Sequence, residues 1–72
     1  MVKKEILLKK LGQHIKKIRK ERGISQVELA NSIGKDQQSI QRLEAGNVNP
    51  TYYYLCEICE GLDIKIEEIV KF

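Results

Sequence analysis

The sequence predicts an all-α fold of five helices in one small domain spanning residues 1–72. Apolar residues recur at intervals of three and four along most of the chain, which is the period of an amphipathic helix. Capping residues and glycines divide this pattern into short segments, and no stretch alternates as a half-buried strand would. Because 72 residues can build only one small core, association with a second copy of the chain would add to the stability of the domain.

The first helix is expected from about residue 4 to residue 22, with residues 1–10 forming an extension before the core of the domain. Lysines occupy most of the positions between its apolar residues, and Gly23 supplies a helix end. The residues expected on its buried side are Ile6 or Leu7, Leu8, Leu11, Ile15 and Ile18.

The second helix is predicted over Gln26–Ile33. Ser25 and Glu28 have the spacing of a capping box, in which each side chain accepts a hydrogen bond from the other residue's backbone amide. Gly34 then allows the chain to reverse its direction within a few residues. The residues expected on the buried side of this helix are Val27 or Leu29, Ala30 and Ile33.

The third helix is expected to start after Asp36, a plausible N-cap, and to end before Gly46. With about 100° of rotation per residue, an inward face centred on Ile40 also takes in Leu43 and Glu44. The opposite side and its flank then carry an unusual set of amides together with cations. These residues are Lys35, Gln37, Gln38, Gln41 and Arg42.

Amides and an arginine on one helix face are typical of a surface that contacts base edges. Glutamine can bond adenine bidentately in the major groove, and arginine can bond guanine in the same way. The alternative is an ordinary solvated helix surface, on which glutamine and arginine are also common.

The fourth helix is expected to begin near Pro50 or Thr51, and a short last helix covers about Ile66 to Val70. The apolar residues at core spacing along the fourth helix are Tyr52, Leu55, Cys56, Ile58, Cys59 and Leu62. We expect Tyr52 to enter the core, which leaves other aromatic and apolar side chains exposed near the carboxyl end. These predict a homodimer interface made by Tyr53, Tyr54, Val70 and Phe72, with surface tyrosine lacking any partner as the alternative.

Charge is distributed unevenly along the chain. Residues 1–22 hold nine Lys or Arg and two Glu, a net +7, whereas residues 44–72 hold two Lys and six acids, a net −4. A basic half suits a polyanionic partner such as DNA, and the acidic half would then face away from it. A solvated lysine-rich helix face is the alternative for the basic half.

Cys56 and Cys59 form a CxxC pair, which raises metal or redox chemistry as a rival function. Only His14 could join the two thiols as a histidine ligand, and no βαβ pattern surrounds them, so we interpret both cysteines as core residues. No residue grouping indicates catalysis or nucleotide binding. We therefore expect no enzyme activity, no cofactor and no metal site.

The chain has no apolar stretch near the roughly 20 residues that cross a membrane, and its start lacks the apolar core of a signal peptide. These two absences predict a cytoplasmic protein without a membrane partner.

Several motifs occur in an order that resembles a known family. They are Leu11-Gly-x-x-Ile-x-x-Ile-Arg19, Gly23-Ile-Ser-Gln-x-Glu-Leu-Ala30, Gln37-Gln-Ser-Ile40, Leu43-Glu-x-Gly46, Pro50, and Leu62 followed by Ile66, Ile69 and Val70. Residues 11–70 thus resemble the Cro/CI-type helix-turn-helix family of phage repressors, restriction-system controllers and antitoxins, also called the xenobiotic-response-element family.

The resemblance implies a role for each matching residue. It places the third helix in the major groove, with Gln37, Gln38, Gln41 and Arg42 nearest the bases. It implies phosphate contacts by Gln26 and Asn47, and Lys35 is expected to add positive charge beside Asn47. Arg19 and Glu44 resemble a structural ion pair between the first and third helices, with a further phosphate contact by Arg19.

We therefore predict a sequence-specific transcriptional regulator that binds double-stranded DNA, at a palindromic operator, as a homodimer. One alternative is an antitoxin or adaptor that holds a protein partner through the fourth helix and the carboxyl terminus. A thiol-based metal or redox protein is a further alternative. Asp63, where relatives prefer glycine, is expected to adopt the left-handed conformation at the end of the fourth helix.

Overall fold

The computed structural model describes residues 3–72, and within them it contains five helices and no strand. The helices are α1 (Lys4–Glu21), α2 (Gln26–Ser32), α3 (Gln37–Glu44), α4 (Tyr52–Leu62) and α5 (Ile66–Val70). The predicted all-α class and five-helix order are confirmed, with the ends of α1 and α2 one residue earlier than expected. Residues 1 and 2 of the predicted amino-terminal extension lie outside the described residues.

One hydrophobic core collects at least one buried residue from every helix. Its buried members are Ile15, Leu29, Ala30, Ile40, Leu43, Ile58, Cys59, Leu62 and Ile69. The two alternatives left open for α2 are resolved, because Leu29 is fully buried and Val27 is exposed. Within residues 3–72, no helix is both long enough and apolar enough to span a membrane.

The first turns of α1 extend beyond this core. Gly46, just after α3, lies so close to α1 that a Cβ on it would be 2.8 Å from the backbone of Lys9. Ile6 and Leu7 precede this crossing point and are both exposed. The expectation that one of them is buried is wrong, because the first turns of α1 extend past the ends of the helices that it packs against.

Side-chain hydrogen bonds cap the amino ends of both α2 and α3. Ser25 Oγ accepts from the Glu28 amide at 3.0 Å, and Glu28 Oε1 accepts from the Ser25 amide at 2.9 Å. Asp36 Oδ1 accepts from the Ser39 amide at 2.8 Å. The hydrogen bonds with Ser39 lower the pKa of Asp36, and those with Ser25 lower the pKa of Glu28. Both side chains are therefore carboxylates at neutral pH.

The position of the tyrosines on α4 differs from the prediction. Tyr52 is 68% exposed and Tyr53 is 73% exposed, whereas Tyr54 is half-buried and packs against the core. At about 100° per residue, Tyr54 lies within about 40° of the buried Ile58, and Tyr52 lies about 120° away. The prediction that Tyr52 enters the core is therefore wrong, and Tyr54 takes that place. Asp63 ends α4 in the left-handed conformation, with φ 56° and ψ 49°, as predicted.

Candidate nucleic-acid interface

The outward surface of α3 is formed by three glutamines and one arginine. Gln37, Gln38, Gln41 and Arg42 are all exposed, whereas Ile40 and Leu43 on the opposite side of the helix are buried. This division agrees with the helical rotation worked out from the sequence. The amide and guanidinium groups are therefore available to a partner, and the apolar side holds the helix in place.

Arg19 and Glu44 form a buried ion pair behind that surface. Arg19 Nε donates to Glu44 Oε2 at 2.6 Å, and Nη2 donates to Glu44 Oε1 at 3.0 Å. A third donor, Nη1, bonds the backbone carbonyl of Ile24 at 2.8 Å. Each residue of the pair is only 6% exposed. The hydrogen bond to Glu44 raises the pKa of Arg19 against the opposing effect of burial, so the guanidinium stays charged.

Gln26 extends this pair to the first residue of α3. Gln26 Nε2 donates to Glu44 Oε1 at 3.0 Å, and Gln26 Oε1 accepts from Gln37 Nε2 at 3.4 Å. Arg19, Glu44, Gln26 and Gln37 thus form one chain of contacts, called the Arg19 network below. It joins α1, α2 and α3, and therefore holds the exposed glutamine and arginine face of α3 relative to the rest of the fold.

The predicted phosphate contacts occupy different environments. Asn47 is exposed just after α3, and its backbone amide bonds the Arg42 carbonyl at 2.9 Å. Gln26 uses its side chain within the Arg19 network, while the first amides of α2 lack intrahelical partners by helix geometry. Arg19 donates three hydrogen bonds, two to Glu44 and one to the Ile24 carbonyl, and only 6% of the residue is exposed.

Lys35 lies in the turn before α3 and contacts α4. Its Nζ is 3.6 Å from Glu57 Oε1 and lies 5.3 Å from the centre of the Tyr54 ring. The sequence did not predict this arrangement, because neither partner is near Lys35 in the chain. No local spacing could have revealed it.

The residues predicted for the dimer interface do not share one environment. Tyr53, Val70 and Phe72 are exposed, whereas Tyr54 is half-buried against the core. Phe72 also contacts the ring of His14, with 5.4 Å between ring centres. Tyr53, Val70 and Phe72 are therefore the predicted interface residues that remain open to a second chain.

The two cysteines face inward to different degrees. Cys59 is buried and Cys56 is half-buried, and both are free thiols. Burial, followed by the nearby Cys56, Glu68 and Glu67, raises the pKa of Cys59, which keeps its thiol neutral. Within residues 3–72, no group of three or more His, Cys, Asp or Glu side chains is placed to hold a metal ion.

Comparison with known proteins agrees with this geometry. A model of the helix-turn-helix family HTH_3 matches residues 15–69, which include all of α2 and α3. The chain belongs to the HTH_3 family. An uncharacterized HTH-type transcriptional regulator of Sinorhizobium fredii, y4dJ, is 34% identical over 62 residues, which cover 86% of this chain and 80% of the relative.

Solved structures of HTH_3-type regulators share the fold. The restriction-modification controller protein C.AhdI of Aeromonas hydrophila superposes with a TM-score of 0.83 at 31% identity, covering 86% of this chain and 94% of that one. The controller protein C.Esp1396I, solved as a tetramer with its natural 35 base-pair operator, gives a TM-score of 0.77 at 36% identity, covering 90% and 96%. The chain is thus a member of a family of DNA-binding transcriptional regulators, with α2 and α3 as its helix-turn-helix.

Proposed function

We propose that this HTH_3 protein is a sequence-specific regulator that binds a palindromic operator as a homodimer, with α3 in the major groove. The observation that carries the proposal is the exposed glutamine and arginine face of α3, supported from behind by the Arg19 network. Such side chains can bond base edges bidentately, and a rigid support lowers the entropy lost on binding. Gln37, Gln38, Gln41 and Arg42 are the proposed base contacts.

Contacts with the DNA backbone would set the register of α3 on the bases. We assign these contacts to the amino end of α2 at Gln26, to Lys35 and to Asn47. The free amides and the dipole of a helix amino end favour an anion, which suits a phosphate. Such contacts carry no sequence information, so they would act on every DNA alike.

A homodimer is the arrangement that pairs two copies of α3 with two half-sites. Tyr53, Val70 and Phe72 are exposed, and they would supply the apolar contacts between the two copies. The solved complex of C.Esp1396I with its operator contains an oligomer of that protein, which supports the same principle here.

Selection of bound sequences from a random duplex pool tests this function. We expect enrichment of a palindrome whose half-sites lie about 10 base pairs apart, bound by two chains of 8.3 kDa each. A matched control carries alanine at Gln38, Gln41 and Arg42, which are exposed and tolerate alanine in a helix. This control should fold and enrich nothing. If the native protein also enriches no sequence, the proposal is wrong, and an adaptor for a protein partner is favoured instead.

A further inference from the structure

A groove of about 410 Å³ lies between α3 and α4, beside the glutamine and arginine face of α3. Arg42 and Lys35, both assigned above to DNA, line it together with Glu57 from α4. Glu57 therefore places a negative charge among side chains that are proposed to face phosphates.

Lys35 is held on the α4 side of this groove by two neighbours. Its ammonium lies 3.6 Å from a Glu57 carboxylate oxygen, and the Tyr54 ring lies within cation–π range at 5.3 Å. Both charged side chains are partly shielded from water, with 39% of the Lys35 side chain and 25% of the Glu57 side chain exposed. Salt screens such a pair less than it screens a fully exposed one.

We propose that Glu57 restrains the DNA affinity of this protein by competing with a backbone phosphate for Lys35. This inference rests on the proposed function, since it requires that the turn before α3 approaches DNA. A phosphate must displace the Glu57 carboxylate to gain the Lys35 ammonium. Because phosphates are the same in every sequence, the restraint acts on operator and random DNA alike.

Substitution of Glu57 by glutamine tests the restraint, since it removes the charge and nearly preserves the shape. Glu60→Gln is the matched control, because Glu60 lies exposed on the same helix and its loss changes net charge equally. The probe is a labelled random-sequence duplex, titrated by fluorescence anisotropy over a range of salt. We expect Glu57→Gln to bind about two- to fivefold more tightly than Glu60→Gln, the range typical of one exposed ion pair.

The salt dependence supplies a second measurement. One additional phosphate contact should steepen the slope of log affinity against log salt by about 0.9. Glu57→Asp keeps the net charge but shortens the reach to Lys35, so it should recover part of the tighter binding.

A double-mutant cycle with Lys35→Gln separates competition from a general charge effect. In the Lys35→Gln background, Glu57→Gln should act no more strongly than Glu60→Gln. The inference is overturned if Glu57→Gln binds no more tightly than Glu60→Gln, or if its effect persists without Lys35. A native protein that binds no duplex DNA would overturn the proposed function as well, whereas intact binding without coupling would overturn only the role of Glu57.

Discussion

Replacement of Glu44 by alanine should remove a large part of the free energy of unfolding at 25 °C. The change leaves the Arg19 guanidinium buried without its carboxylate partner, and such a loss costs about 3–5 kcal/mol. A domain of 72 residues is typically stable by only about 4–11 kcal/mol in total. Urea unfolding followed by circular dichroism measures the change as a lower midpoint.

Two further variants separate the ion pair from α3 itself. Gln41→Ala, on the exposed side of the same helix, should leave the midpoint nearly unchanged. Arg19→Met combined with Glu44→Leu should recover much of the stability, because apolar residues of similar size often replace a buried ion pair at little cost. An unchanged midpoint in Glu44→Ala would show that the buried charge needs no partner.

Replacement of Gly12 by alanine should destabilise the protein even though alanine favours a helix. Intrinsic propensity alone predicts a gain of about 1 kcal/mol for this change in the middle of α1. However, a Cβ at Gly12 would lie 2.5 Å from the carbonyl oxygen of Leu43 and closer still to that of Glu44. Since backbone cannot rotate away as a side chain can, α1 and α3 must separate, and we expect a net loss of about 1–3 kcal/mol.

Urea unfolding of Gly12→Ala measures whether the free energy of unfolding falls or rises. Gln13→Ala is the control, because Gln13 is the next residue of α1 and is exposed. It should be neutral or slightly stabilising. If Gly12→Ala raises the unfolding midpoint as well, the close approach of α1 to α3 does not limit the fold.

Most parts of the structure that sequence predicted well depend on local signals, whereas the Arg19–Glu44 ion pair was expected from the family resemblance. The capping box at Ser25, the cap at Asp36 and the inward face around Ile40 each depend on residues within one or two helical turns. The ends of the helices follow from the same signals, which is why they agree closely.

The parts that sequence did not predict depend on contacts between distant residues. The bond from Gln26 to Glu44 joins residues 18 apart, and the pairing of Lys35 with Glu57 joins the turn before α3 to α4. The three tyrosines on α4 are equally hydrophobic, so composition cannot predict which one is buried. The rotation of α4 about its axis, set by its packing against neighbouring helices, buries Tyr54. The exposure of Ile6 and Leu7 likewise follows from where the other helices stop, which no local pattern encodes.

Substitution of Arg42 tests whether α3 contacts base edges. On the selected operator, Arg42→Ala should cost about 1–3 kcal/mol of binding free energy and abolish the preference at one base pair. Arg42→Lys keeps the charge but not the planar pair of donors, so it should lose that preference while binding random DNA nearly as well as the native protein.

The deciding measurement is the affinity of native protein, Arg42→Lys and Asn47→Ala for the operator, for its single-base variants and for random DNA at one salt concentration. We expect Arg42→Lys to lose discrimination at one position, whereas Asn47→Ala, which removes an exposed side chain outside the Arg19 network, should weaken every sequence by the same factor. Equal losses on operator and random DNA for both variants would contradict this expectation.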